Sequence, residues 1–183
     1  MIKNISLTNL LFIGFLVELM IFGFSYIIGE NWGETFRLSA RYSGRLSLVV
    51  YLVSFYHFTF SFIKKKPEKK LKESIIIFCF LHYIHFIYLT LAVYLNDIPI
   101  IPYRLTGGFI AYLMILIYPL IISKIRKLVY HLIYFYYVGI IMAVTILARV
   151  RGNFKGAENE FFHYLGLVSL ILGFIYFTAV IIR

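Results

Sequence analysis

The chain has 183 residues, of which 62% are hydrophobic and 14% charged, and its mean hydropathy is +0.88. No soluble domain hides that much apolar surface, so the composition specifies an integral membrane protein whose length goes almost entirely into spans and short loops. The net charge of +10 does not imply nucleic acid, because the 18 Lys and Arg gather at span ends, where anionic headgroups and the positive-inside bias account for them.

The expected architecture is all-α: a single polytopic domain, 1–183, folded as a six-transmembrane-helix bundle. The first span covers about 7–28. Its start after Lys3 resembles a signal peptide, but the run is long, carries Glu18 and lacks a small-residue cleavage site, so it reads as retained. Glu18 falls near the bilayer midplane. It is either a proton-relay carboxylate or a hydrogen-bonded glutamate packed against a neighbouring helix, and with no partner evident the second reading is preferred.

The connection 29–44 is polar. Arg37, Arg41 and Arg45 recur every four residues, which suits a short interfacial helix with one basic stripe, either snorkelling to headgroups or holding an anion. Trp32 suits an interface anchor. Span 2, about 46–63, carries His57 on an aromatic face, where a histidine is more often a packing residue than a ligand. The loop Lys64–Glu73 contains six lysines and marks the cytoplasmic side.

Span 3, about 74–95, holds the most informative stretch, Leu81-His82-Tyr83-Ile84-His85-Phe86. Two histidines three apart share a helix face. At that depth ionisable groups usually face a bundle interior, a cofactor or a proton path. Cys79 lies in the same run and is the only cysteine, which excludes an internal disulfide and a cysteine-ligated zinc or iron–sulfur centre within one chain. Pro99 and Pro102 end this helix.

Span 4, about 105–122, opens with Thr106-Gly107-Gly108, which permits close helix approach, and Pro119 is expected to kink its inner end. A basic turn, Ser123–Lys127, returns the chain to the cytoplasmic side. Span 5, about 128–148, carries His131 among Tyr130, Tyr134, Phe135, Tyr136 and Tyr137. The polar outer loop 149–160 leads to span 6, about 161–182, with His163 at its water-accessible edge. Both termini then lie in the cytoplasm, and no internal repeat is evident.

Five histidines are too few for a membrane di-iron desaturase. No His-Glu-x-x-His, phosphate loop or nucleophile elbow is present. Voltage sensing would need arginines inside a span rather than at span ends, and a transporter would show broken or repeated spans. A haem held between helices remains, since a b-type haem needs one or two neutral imidazoles. Depth along spans 3 and 5 favours His82 and His131 as the pair, with His85 as the alternative to His82. The competing reading is three packing histidines in a haem-free bundle.

Several stretches in order resemble the ferric reductase-like transmembrane domain superfamily, in particular its small stand-alone bacterial members. They are Arg37-Leu-Ser-Ala-Arg41-Tyr-Ser43, Leu81–Phe86, Thr106 through Ser123, and Lys127-Leu-Val-Tyr-His131 with Tyr136-Tyr137. The resemblance spans about 37–151. It implies a six-helix bundle with haem between spans 3 and 5 and electron transfer at the membrane. Larger relatives stack a second, outer haem on histidines four turns further along. Here those positions are Leu95 or Asn96 and Val144 or Thr145, so one inner b-type haem is implied. The flavin- and NADPH-binding portion of those relatives has no counterpart in these residues.

The expectation is therefore an electron-transfer subunit of oxidoreductase type in a bacterial inner membrane. It would relay electrons between quinol, or a partner flavoprotein, and another redox protein. The alternative is a haem-free scaffold or assembly subunit of a larger membrane complex.

Overall fold

The computed structural model describes residues 6–64, 69–152 and 160–182. Six α-helices account for nearly all of them: α1 Leu7–Ile28, α2 Trp32–Lys64, α3 Lys69–Leu95, α4 Pro102–Ile121, α5 Leu128–Val150 and α6 Phe161–Ile182. No strand occurs among the described residues. Five helices (α1, α2, α3, α5 and α6) are long and apolar enough to cross a membrane, and α4 contributes a shorter apolar stretch, Leu105–Ile121. Large apolar side chains such as Phe12, Met20, Ile27, Phe109, Leu120 and Ile175 point outward, as a bilayer environment allows. Residues 65–68 of the loop expected on the cytoplasmic side, residues 153–159 of the expected outer loop 149–160, and Lys3 and Arg183 lie outside the described residues.

The principal departure from expectation is α2. The polar stretch before span 2 is not a separate interfacial helix; it continues into that span as one helix of 33 residues beginning at Trp32. The reason lies on the face opposite the arginines. Thr35, Ser39, Ser43 and Ser47 recur every four residues and are all buried, so this half of α2 has a small, hydroxyl-lined face to pack and no cause to break. Arg37, Arg41 and Arg45 therefore lie in the leading part of one continuous helix, ahead of its apolar stretch.

The chain divides into two compact units, 1–51 with 73–100, and 52–72 with 101–183. In the first, α1, the leading half of α2 and most of α3 lie side by side. Asn96 Nδ2 donates to Gly33 O at 3.0 Å, His85 packs on Gly44, Ser47 meets His82, and Tyr51 packs on Phe78. Each step forward along α2 matches an equal step back along α3, which is an antiparallel pair in register. From α1, Tyr26 packs on Trp32, Phe22 on Phe36 and Phe24 on Tyr42, so the arginine-bearing half of α2 runs beside the apolar second half of α1.

In the second unit α5 packs against both α4 and α6. Its core is aromatic. Phe55 and Phe58 of α2 meet Phe135 of α5 and Phe177 of α6, with ring centroids 4.6 to 5.2 Å apart. Gly107 lets α4 approach α5 closely, because a Cβ there would lie 3.1 Å from Ile141 Cδ1.

Candidate functional site

Each expected haem ligand has a defined place. In the first unit His82 and His85 are both buried on α3, with ring centroids 5.3 Å apart. That is the shared face their spacing implied. His82 Nδ1 and Ser47 Oγ share a hydrogen bond of 2.6 Å. His85 lies against Gly44, where an added Cβ would come within 3.0 Å of its Cε1, so the glycine is what lets the imidazole lie on the α2 backbone.

Glu18, at 1% exposure, belongs to the same unit. Its Oε1 accepts from Ser43 Oγ at 2.7 Å, and the Tyr88 hydroxyl donates to its backbone oxygen at 3.3 Å. The preferred reading, a hydrogen-bonded glutamate packed against a neighbouring helix, describes this arrangement. Ser43, Gly44 and Ser47 thus place Glu18, His85 and His82 along little more than one turn of α2. Sequence reasoning passed over Gly44, Ser47 and Tyr88, and met Ser43 only as the end of the stretch Arg37–Ser43. The available signal was the four-residue recurrence of hydroxyls through 35, 39, 43 and 47.

His131 lies in the second unit, half-buried at the start of α5. Its Nδ1 shares a 2.5 Å hydrogen bond with Tyr118 Oη of α4, and Phe58 approaches its ring at 5.5 Å. Tyr118 in turn stacks on Tyr134, 3.6 Å between centroids and 8° from parallel. Tyr118 was another residue the sequence did not single out.

Of the remaining histidines, His57 is half-buried on α2. His163, expected at a water-accessible edge, is instead 5% exposed, and its Nδ1 accepts from the Glu160 backbone N–H at 3.2 Å. The ring folds back over the first turn of α6, where backbone donors lack intrahelical partners. Arg37 pairs with Glu34 at 2.5 Å, and the Arg45 guanidinium sits 5.2 Å from the Tyr42 ring centroid. Cys79 is a free, half-buried thiol on α3.

Among the described residues no group of three or more His, Cys, Asp or Glu is arranged to hold a bare metal ion. Two imidazoles, by contrast, are all the protein donors that a b-type haem requires. Fold and side chains define an all-α protein of membrane type with two imidazole–hydroxyl pairs. No family model, curated protein or solved structure matches the chain.

Proposed function

We propose that this chain is a six-span membrane protein of the ferric reductase-like type that binds one b-type haem. It relays electrons between quinol, or a partner flavoprotein, and another redox protein. One observation carries the reading: His82 and His131 each hold Nδ1 on a hydroxyl, Ser47 Oγ at 2.6 Å and Tyr118 Oη at 2.5 Å. Imidazoles that ligate metals keep the second ring nitrogen on an oxygen, which sets ring orientation and tautomer. Were either residue to hold a haem iron, that hydroxyl would orient the imidazole through Nδ1. His85 remains the alternative to His82. Bound haem supplies a one-electron site in a low-dielectric interior.

The topology belongs to the same proposal. Leu105–Ile121 of α4 rises roughly 26 Å, enough to serve as the sixth span with little tilt. Six spans put both termini on the side of the lysine-rich loop, the cytoplasmic face of a bacterial inner membrane.

The test is an absorption spectrum of the detergent-purified protein, oxidised and then reduced with dithionite, after expression with ample haem. A Soret band that shifts on reduction, with resolved α and β bands, supports the reading, and His131→Ala then abolishes haem retention. Unchanged haem content in that variant would sink it. A haem-free scaffold is the second reading, because the same two hydroxyl bonds also satisfy imidazoles that carry no metal. A colourless protein that co-purifies with a stable membrane partner assigns the chain to that class.

A further inference from the structure

The first unit contains buried polar groups that the haem reading does not use. Glu18 Oε2 and Ser25 Oγ are buried on one side of α1, and neither has a hydrogen-bond partner among the described residues. They lie two turns apart, roughly 10 Å along the helix. A carboxyl in this position needs a partner in either state: protonated it must find an acceptor, and ionised it must find donors. Ser43 satisfies only Oε1.

Beside these atoms runs the hydroxyl stripe of α2. Ser39 Oγ donates to Thr35 O at 2.8 Å, and Thr35 Oγ1 donates to Asn31 O at 3.0 Å. Each hydroxyl has used its proton and keeps lone pairs for a further donor. The stripe ends at the α1–α2 turn, where a Cβ on Gly29 would lie 2.7 Å from Thr35 Oγ1.

Bonding back to the i−4 carbonyl is by itself an ordinary packing habit, which Thr59 and Ser169 share. What sets this seam apart is the pair of orphaned α1 atoms, one of them on a carboxyl already bonded to the stripe. Packing and the Ser43 bond account for Oε1, but buried polar atoms left unpaired call for a partner that neither supplies.

We propose that the α1–α2 seam is a hydrated proton path. Water bound at Glu18 Oε2 and Ser25 Oγ, stepping past the Ser39 and Thr35 hydroxyls, connects the Glu18 carboxyl with the end of the unit at Gly29–Asn31. In one passage the carboxyl O–H proton moves to the adjoining water, that water passes a proton on, and a hydronium leaves at the turn. Only O–H bonds are made and broken, and the carboxylate is reprotonated by the reverse sequence. From α3, the Tyr88 hydroxyl donates to the Glu18 backbone oxygen, and the titratable His85 lies against Gly44, beside the Ser43 that holds Glu18 Oε1. The path stands whether or not the histidines carry haem.

Infrared spectroscopy of the purified protein tests it without any chromophore. The protonated-carboxyl band of Glu18 is identified by its loss in Glu18→Gln, and its shift is followed on transfer to D2O. The wild-type band shifts as fast as mixing allows, and exchange slows by about tenfold or more in Ser25→Ala and in Thr35→Val/Ser39→Ala, whose near-isosteric changes preserve the helices. Slow exchange in the wild type overturns the proposal, as does equally fast exchange in both variants. So does the absence, even in acid, of any carboxyl band sensitive to Glu18→Gln.

Discussion

Ser47 Oγ and His82 Nδ1 lie 2.6 Å apart, each side chain buried where α2 packs on α3. Both side chains are buried, so loss of either removes a hydrogen bond that is hard to replace. Ser47→Ala leaves the imidazole nitrogen without its hydroxyl at a cost of about 1–3 kcal/mol. Thermal unfolding in detergent measures the loss. In a haem-loaded protein the same substitution weakens haem retention more than Ser169→Ala, whose hydroxyl bonds back to Leu165 O within its own helix.

Gly44 is required for a steric reason. A methyl group there would meet His85 Cε1 at 3.0 Å, tighter than ordinary contact, so the ring must shift to admit it. Gly44→Ala is expected to destabilise by about 1–3 kcal/mol. Most of that penalty should vanish in the Gly44→Ala/His85→Ala double variant. A double-mutant cycle on unfolding free energies reads the coupling, and strictly additive effects would show that the contact is not the cause.

Glu18 separates shape from charge. Glu18→Gln keeps the side-chain volume and an oxygen for the Ser43 hydroxyl, so the helices remain packed. Glu18→Ala removes that acceptor and opens a void among buried residues, with an expected cost of about 2–4 kcal/mol. Comparing the two variants in one unfolding series checks the assignment, and equal stabilities would contradict it.

Tyr118 does two jobs that substitution can divide. Tyr118→Phe removes the hydroxyl on His131 but keeps the ring stacked on Tyr134, and costs about 1 kcal/mol. Tyr118→Ala also removes the ring and costs about 3–5 kcal/mol. If haem is bound, loss of the hydroxyl in the Phe variant should already shift the haem reduction potential, since it changes what the imidazole is bonded to and keeps the stack.

Asn96 closes one end of the α2–α3 pair by donating to Gly33 O and Ala92 O at 3.0 and 2.7 Å. Asn96→Ala should raise amide hydrogen exchange around Gly33 and in the last turn of α3, leaving the segment near His82 protected. Uniform exchange along both helices would argue against a local clasp.

The helical class and the membrane habit were legible in composition and in runs of apolar residues, because burial in lipid demands long uninterrupted helices whatever they pack against. The shared face of His82 and His85 was legible too, since it follows from helical spacing alone. The continuity of α2 was not. Its arginines are conspicuous as a stripe, while the small hydroxyl residues that decide how it packs look unremarkable in a list of residue types.

The chain by itself determined which residues are chemically unusual for a membrane interior: Glu18 and three histidines. Tertiary structure alone decided their partners, giving Ser43 to Glu18, Ser47 to His82, Gly44 to His85 and Tyr118 to His131. The reason is physical. Spacing along a helix sets direction, but a hydrogen bond between helices depends on register to within about an ångström, and register is chosen by the packing of whole faces.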